Sequence, residues 1–411
     1  MVLLSFALQV AAIGVFHTYR FRTEDDHFGF GWEMGRIGRS IAMGYGFSNP
    51  YGDSTGPTAW EPPLYPFLIG GAFKLFGIYS DISAWVLLSI NSLFTALTCI
   101  PIFFIGRRTV GERVALWSAW IWALLPYAMY WSVHWIWDTT LGSLLLSLIF
   151  LLSLHLQEEN SRRAWLIYGL MWGLAALSNP SLLSFLPVSG LWIWYRRHQS
   201  GLRSVAGVAL ASVVFFLCVT PWLVRNYQTF GRFVFIRDDF GLQFRLGNGP
   251  YAEGWSRVYL QPNMNLAEFE EFRRMGELAY ARRCSNLAFS WIRDNPGRFA
   301  GISLKKFFYF WGGVPRPTDS TAAVDFRNSL FLATSVLAIG GLGRAIRKKI
   351  PAAPLFLLLF LSYPTVYYFV YPHARYRHPI EPELLVLVVF LISEVDKGRS
   401  RKESRALPGK S

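Results

Sequence analysis

The chain has 411 residues, 53% of them hydrophobic and 17% aromatic, with a formal net charge of +14. Its uncharged runs approach the roughly 20 residues that cross a bilayer as helix, which excludes a single soluble domain. Cys99 and Cys218 lie in apolar runs and Cys284 outside them, giving neither a disulfide framework nor metal-ligand spacing. The basic residues gather in short loops between apolar runs, a membrane-topology signature that argues against nucleic-acid binding.

In chain order, spans are read near 1–19, 84–105, 114–133, 139–156, 164–177, 181–195, 205–224, 327–343, 352–371 and 383–394. The first has no basic residue before it, carries Arg20 and Arg22 after it, lacks a following small-residue cleavage site, and is read as a retained helix. The run "PLYPFLIGGAFKLFGIY", 63–79, with two early prolines, a double glycine and Lys74, is read as a helix lying on the outer surface. Basic clusters follow at Arg107, Arg108 and Arg113, at Arg162 and Arg163, at Arg196, Arg197 and Arg203, at Arg344, Arg347, Lys348 and Lys349, and from Lys397 to Lys410. Placing them all in the cytoplasm leaves 20–83, 134–138, 178–180, 225–326 and 372–382 on the outer face. The resulting divisions are a membrane domain 1–224 with its first outer loop 20–83, a large outer region 225–326, C-terminal membrane helices 327–396, and a basic tail 397–411. No internal repeat of the transporter kind is visible.

In the large outer region, Asn265 as N-cap with Glu268 three residues on, and apolar Leu266, Phe269, Phe272 and Met275, predict one amphipathic helix ending before Pro296. The following "RFAGISLKKFFYFWGG" mixes Lys305 and Lys306 with aromatic residues, as at a headgroup layer. The first outer loop sets Glu24, Asp25, Asp26, Glu33, Asp53 and Glu61 among aromatics and glycines, where a carboxylate can serve as general base or remain an ordinary solvated acid. Asp138, in "HWIWDTTL" at the outer mouth of a span, is either a functional intramembrane acid or the N-cap of the helix that follows. In "YPHARYRHPIEPE", 371–383, Arg375 and Arg377 gain nothing from the positive-inside bias on an outer loop. They offer planar donors suited to phosphate oxygens, with His378 as a helper, or else snorkel at a surface turn.

The order of an acidic first outer loop, "GYGFSNPYGDSTGPTAWEPPLYPFLIGGAFKLFG", "PWLVRNYQTFGRFVFIRDDFGLQFRLGNGPYAEGW" and "ARYRHPIEP" resembles bacterial family 39 membrane glycosyltransferases. These are similar to protein O-mannosyltransferases and lipid A aminoarabinose transferases. The resemblance runs from about Asp25 to Val389. It implies an all-α polytopic membrane protein with the C-type glycosyltransferase helical bundle and juxtamembrane helices in the first outer loop. It further implies a polyprenyl-phosphate sugar donor, an extracytoplasmic acceptor of unspecified kind (lipid, glycan or protein), and a bacterial inner-membrane location with the site facing the periplasm or cell exterior. The base implied by the resemblance is Asp26, Asp25 or Glu33, because "EDDHFGFGWEMGRIGRSIA" is stretched between helix 1 and the short helix that ends in Ile41-Ala42. Where aminoarabinose transferases place Glu-Lys before the Pro-Pro pair, this chain has Trp60-Glu61, so that lysine is absent and Glu61 is assigned to the acceptor side.

Transfer from such a donor needs a base, cations for the departing phosphate and an apolar groove for the lipid. Arg225 and Arg245 are further candidate cations, Arg225 with the alternative of snorkelling. With arginines supplying charge, neither metal nor cofactor is expected. The competing class is a lipid-linked sugar flippase or transporter without transferase activity; it calls for polar residues deep in several spans.

Overall fold

Inside a bilayer no water satisfies backbone N–H and C=O groups, so apolar runs fold as helices. The computed structural model describes residues 1–22, 27–52, 54–159, 161–315 and 321–406. Among them secondary structure is helical apart from one isolated antiparallel bridge, Ser48 to Pro57.

The helices run α1 (Val2–Val15), α2 (Glu33–Ala42), α3 (Leu64–Phe76), α4 (Asp81–Thr109), α5 (Glu112–Leu124), α6 (Pro126–His134), α7 (Thr139–Leu156), α8 (Arg162–Ser178), α9 (Leu186–Gln199) and α10 (Val205–Phe230). After these come α11 (Phe240–Gly247), α12 (Leu266–Met275), α13 (Glu277–Asp294), α14 (Pro296–Gly312), α15 (Thr321–Arg347), α16 (Ala353–Ser362), α17 (Thr365–Phe369), α18 (Ala374–Arg377) and α19 (Glu381–Ala406).

Every segment read as a span contains helix, and α4, α7, α10 and the stretch Val324–Arg347 are each long and apolar enough to cross a membrane. The protein is multi-pass. Proline interrupts two of the expected spans. Pro126 at the start of α6 forces Leu125 into the extended region (φ −71°, ψ 114°), so 114–133 divides into α5 and α6. Pro364, which has no N–H to continue the ladder, separates α16 from α17 while Tyr363 stays helical (φ −62°, ψ −46°). Between α8 and α10 the approach is so close that a Cβ on Gly169 would lie 2.3 Å from Ala211 O, the small-residue contact that substitutes for hydrophobic driving force in lipid. The bundle core holds Trp122, Phe150, Phe356 and Leu387, all fully or almost fully buried.

The run 63–79 forms α3, whose 13 residues reach only about 20 Å, short of the bilayer core. It crosses α2 at two glycines: a Cβ on Gly38 would meet Ile69 Cγ2 at 2.6 Å, and one on Gly70 would meet Ile41 Cγ2 at 2.8 Å.

The expected single helix after Asn265 is two. Asn265 does cap, its Oδ1 accepting from Ala267 N at 3.0 Å and Glu268 N at 3.2 Å, but Gly276 at φ +75° ends α12 and turns the chain into α13. Glu268 does not fold back to the cap. Its carboxylate takes both guanidinium nitrogens of Arg245, at 2.7 and 2.8 Å, and the Tyr280 hydroxyl at 2.8 Å.

Candidate active site

Loops at one end of the bundle bring distant residues together. The turn before α2 docks on the loop before α7: Ile136 N donates to Gly29 O at 3.2 Å, and Gly31 (φ +84°) has Ile136 O 2.6 Å from where a Cβ would stand. Phe28 seals this junction edge-on against Trp32, Trp135 and Trp137. Two acids, Glu33 at the first turn of α2 and Asp138 just before α7, are thereby fixed in one place, 8% and 9% exposed. Asp138 holds the N-cap position but makes no side-chain cap bond. Its carboxyl interacts instead with the Asn179 side chain and feels the charges of Arg375 and Arg237.

Arg375, half-buried in α18, lies over the Trp137 ring at 4.2 Å, a cation–π contact that holds the guanidinium plane. One of its nitrogens donates to Tyr376 Oη at 3.3 Å; Tyr376 donates to Tyr371 Oη at 3.4 Å, and Tyr371 to Gln243 Oε1 at 2.5 Å. Opposite stands Arg237, whose Nε is 3.0 Å from Asp239 Oδ1 and whose Nη1 is 3.6 Å from Glu61 Oε2. Asp239 is 2% exposed and Glu61 8%.

Four buried carboxyls, Glu33, Glu61, Asp138 and Asp239, thus face two guanidiniums, so full ionisation would leave a buried site doubly negative. Burial drives all four upward, because a low-dielectric site penalises the charged form. Glu33 is pushed up to about 7: burial is the main cause, Asp239 adds to it, and its own backbone amide and Arg375 oppose it. Such a carboxyl is poised to exchange a proton near neutrality. Among the described residues no three His, Cys, Asp or Glu side chains are disposed to hold a metal ion.

An apolar groove of about 470 Å³ opens beside this cluster, walled by Phe240, Phe244, Phe289, Phe299, Phe369 and Val370. Phe240 follows Asp239 directly and Val370 precedes Tyr371, so two wall residues of the groove are bonded to residues of the charged site. A second apolar cavity, about 260 Å³ among Trp165, Tyr168, Trp172, Ile193, Val208 and Phe215, lies toward the Arg162 and Arg203 ends of its helices, away from the acids.

Of the residues singled out in the sequence, the structure gathers Glu33, Glu61, Asp138 and Arg375. Asp25 and Asp26 lie outside the described residues. Arg225 donates to Thr58 O at 2.6 Å and Phe47 O at 2.8 Å. Arg245 is occupied by Glu268. Arg377 is fully buried, bonding Trp311 O at 3.0 Å, Phe331 O at 2.9 Å and Thr334 Oγ1 at 2.6 Å, with Glu381 Oε1 2.8 Å from its Nε. His378, also fully buried, stacks on Trp122 with ring centroids 5.3 Å apart. The residues that sequence reasoning passed over are Arg237, Asp239, Tyr371 and Asn179. The signal for the first two was present in "FIRDDFG": Arg and Asp two positions apart on non-helical backbone.

Solved structures share this architecture. The archaeal oligosaccharyltransferase AglB from Archaeoglobus fulgidus, in complex with an inhibitory peptide and a dolichol-phosphate, superposes with a TM-score of 0.55 at 14% identity. That match covers 92% of this chain and 48% of AglB, so the chain spans about half the length of that relative. A second structure of the Archaeoglobus fulgidus oligosaccharyltransferase, complexed with Zn and sulfate, gives a TM-score of 0.52 at 16% identity over 90% of this chain and 45% of the other. ArnT from Cupriavidus metallidurans, bound to undecaprenyl phosphate, aligns over 93% of this chain and 76% of its own at 12% identity, with a TM-score of 0.38, too distant to bear on the site. No curated protein sequence matches. Residues 60–224, from Trp60 into the second half of α10, match the dolichyl-phosphate-mannose-protein mannosyltransferase family, and the chain as a whole has the C-type glycosyltransferase fold.

Proposed function

We propose that the protein is an integral membrane glycosyltransferase that moves a sugar from a polyprenyl-phosphate donor to an extracytoplasmic acceptor. The observation that carries this reading is a cluster of buried acids and two partly buried arginines next in the chain to the walls of an apolar groove. A lipid-linked sugar phosphate has the matching parts: an isoprenoid for the groove, a phosphate for the arginines and a sugar for the acids.

In this reading Glu33, as carboxylate, takes the proton of an acceptor hydroxyl or amine. The acceptor atom bonds to the anomeric carbon as the bond from that carbon to the phosphate oxygen breaks. The electron pair departs on the polyprenyl phosphate. Arg375 and Arg237 stabilise the charge developing there, and their guanidinium forks suit phosphate oxygens. Trp137 beneath Arg375 and Asp239 beside Arg237 fix both forks before donor arrives, so little reorganisation is needed. Asp138 and Glu61 line the sugar and acceptor side, and Asp25 and Asp26 belong in the same mutational series as Glu33.

Purified protein incubated with a panel of labelled polyprenyl-phosphate sugars tests the proposal. Sugar loss from one lipid, with release of polyprenyl phosphate, is expected. Binding and movement of the lipid across vesicle membranes with its sugar intact would instead mark a flippase.

A further inference from the structure

Residues 47–61 deliver Glu61 to the cluster, yet the described residues among them hold no helix and only the bridge from Ser48 to Pro57. What fixes them comes from other elements. Glu277, first residue of α13 and 7% exposed, accepts the Ala59 N–H at 2.6 Å and also the Thr58 hydroxyl. Thr58 Oγ1 in turn accepts the Trp60 N–H at 2.9 Å. Arg225, in the last two turns of α10, donates to the Thr58 and Phe47 carbonyls, its guanidinium braced 4.8 Å from the Trp222 ring centroid. Asp238 N donates to Ala59 O at 2.9 Å. Backbone groups of Thr58 and Ala59 are therefore held from α10, α13 and the Arg237–Asp239 segment, and the Trp60 N–H by the Thr58 hydroxyl that Glu277 itself holds.

We propose that Glu277 and Arg225 are positioning residues, a two-sided clamp on the Thr58–Trp60 turn that sets Glu61 against Arg237 and so aims that guanidinium. The inference rests on the functional reading above. Neither residue belongs to the acid–arginine cluster; both act through Glu61. The Glu61–Arg237 separation of 3.6 Å is already long for an ion pair, so a small shift of the turn removes the second hold on a guanidinium that Asp239 then keeps by its Nε alone. Burial raises the Glu277 carboxyl to about 8, with Asp238 adding and Thr58, Ala59 and Arg225 opposing, so a neutral glutamine is a close substitute. Its amide oxygen still accepts from Ala59 N.

The test pairs hydrogen exchange of the full-length protein in detergent with donor kinetics for Glu277→Ala, Glu277→Gln and Thr58→Val. Thr58→Val keeps the shape and removes the hydroxyl, and serves if Glu277→Ala fails to fold. The clamp predicts lost amide protection across 58–61 in Glu277→Ala and Thr58→Val. It also predicts a fall in kcat/KM on the order of 10²-fold for an ångström-scale misplacement, with Glu277→Gln near the unsubstituted protein in both readouts. Unchanged protection overturns the clamp; lost protection with unchanged kcat/KM overturns the positioning role. Absence of donor consumption by the unsubstituted protein overturns the functional reading and the catalytic half of this one, while the exchange pattern still decides the clamp.

Discussion

Glu33 enters α2 at a buried position where burial and Asp239 both resist its ionisation and Arg375 favours it. As a base it must be ionised, so turnover should rise with pH through about 7, not near the 4.5 of a solvated glutamate. Removing a neighbouring positive charge raises a carboxyl further, and removing a negative one lowers it. Arg375→Ala should therefore move this limb to higher pH and Asp239→Asn should move it lower; pH–rate profiles of the two variants that shift together, or not at all, would contradict the assignment. Arg375→Ala should also cost about 10- to 100-fold in kcat/KM, from the ~1.5–3 kcal/mol of a charged hydrogen bond. Arg375→Lys should recover only part of this, because it keeps the charge and loses the fork. Arg375 and Glu33 were legible in the sequence as polar residues on outer loops. Arg237 and Asp239 stood in "FIRDDFG" but were not distinguishable from other loop charges, because what selects them is packing of the segment after α10 against Glu61, 176 residues earlier in the chain by numbering.

At the scale of elements, α2 is held by α3 through Gly38 and Gly70, and α2 carries Glu33. Gly38→Val should force the helices apart at a cost of about 1–3 kcal/mol, read as a lower melting temperature in detergent together with weaker turnover. Arg245→Ala should separate the two effects. It breaks the pair with Glu268 inside the α11–α13 layer, with Arg283 still 3.5 Å from Glu268, and should lower melting temperature while leaving donor KM near its original value. The membrane helices were readable because apolar length and basic loops are local signals. The break at Gly276 and the diversion of Glu268 to Arg245 were not, since the pattern of Asn265, Glu268 and the following apolar positions suits one helix and only the packing of α11 supplies the competing partner.

Across the whole molecule, the loop after α1, the α6–α7 turn, the segment after α10 and the loop before α19 meet at one end of the bundle, while Arg162, Arg196, Arg203, Arg344 and Lys348 lie at the other ends of their helices. By the positive-inside rule, we propose that the acids and arginines face away from the cytoplasm. Periplasm-active phosphatase fusions should be active near residue 260 and silent after Lys397; the reverse would overturn the orientation and the side from which acceptor arrives. The central claim is that Glu33 is the proton acceptor in sugar transfer from a lipid phosphate. Its most direct test is turnover of the unsubstituted protein against Glu33→Gln, with whichever polyprenyl-phosphate sugar is consumed and with melting temperature measured alongside. The account predicts a loss of about 10²-fold or more in kcat at unchanged melting temperature, and a Glu33→Gln protein that folds and turns over like the original would contradict it.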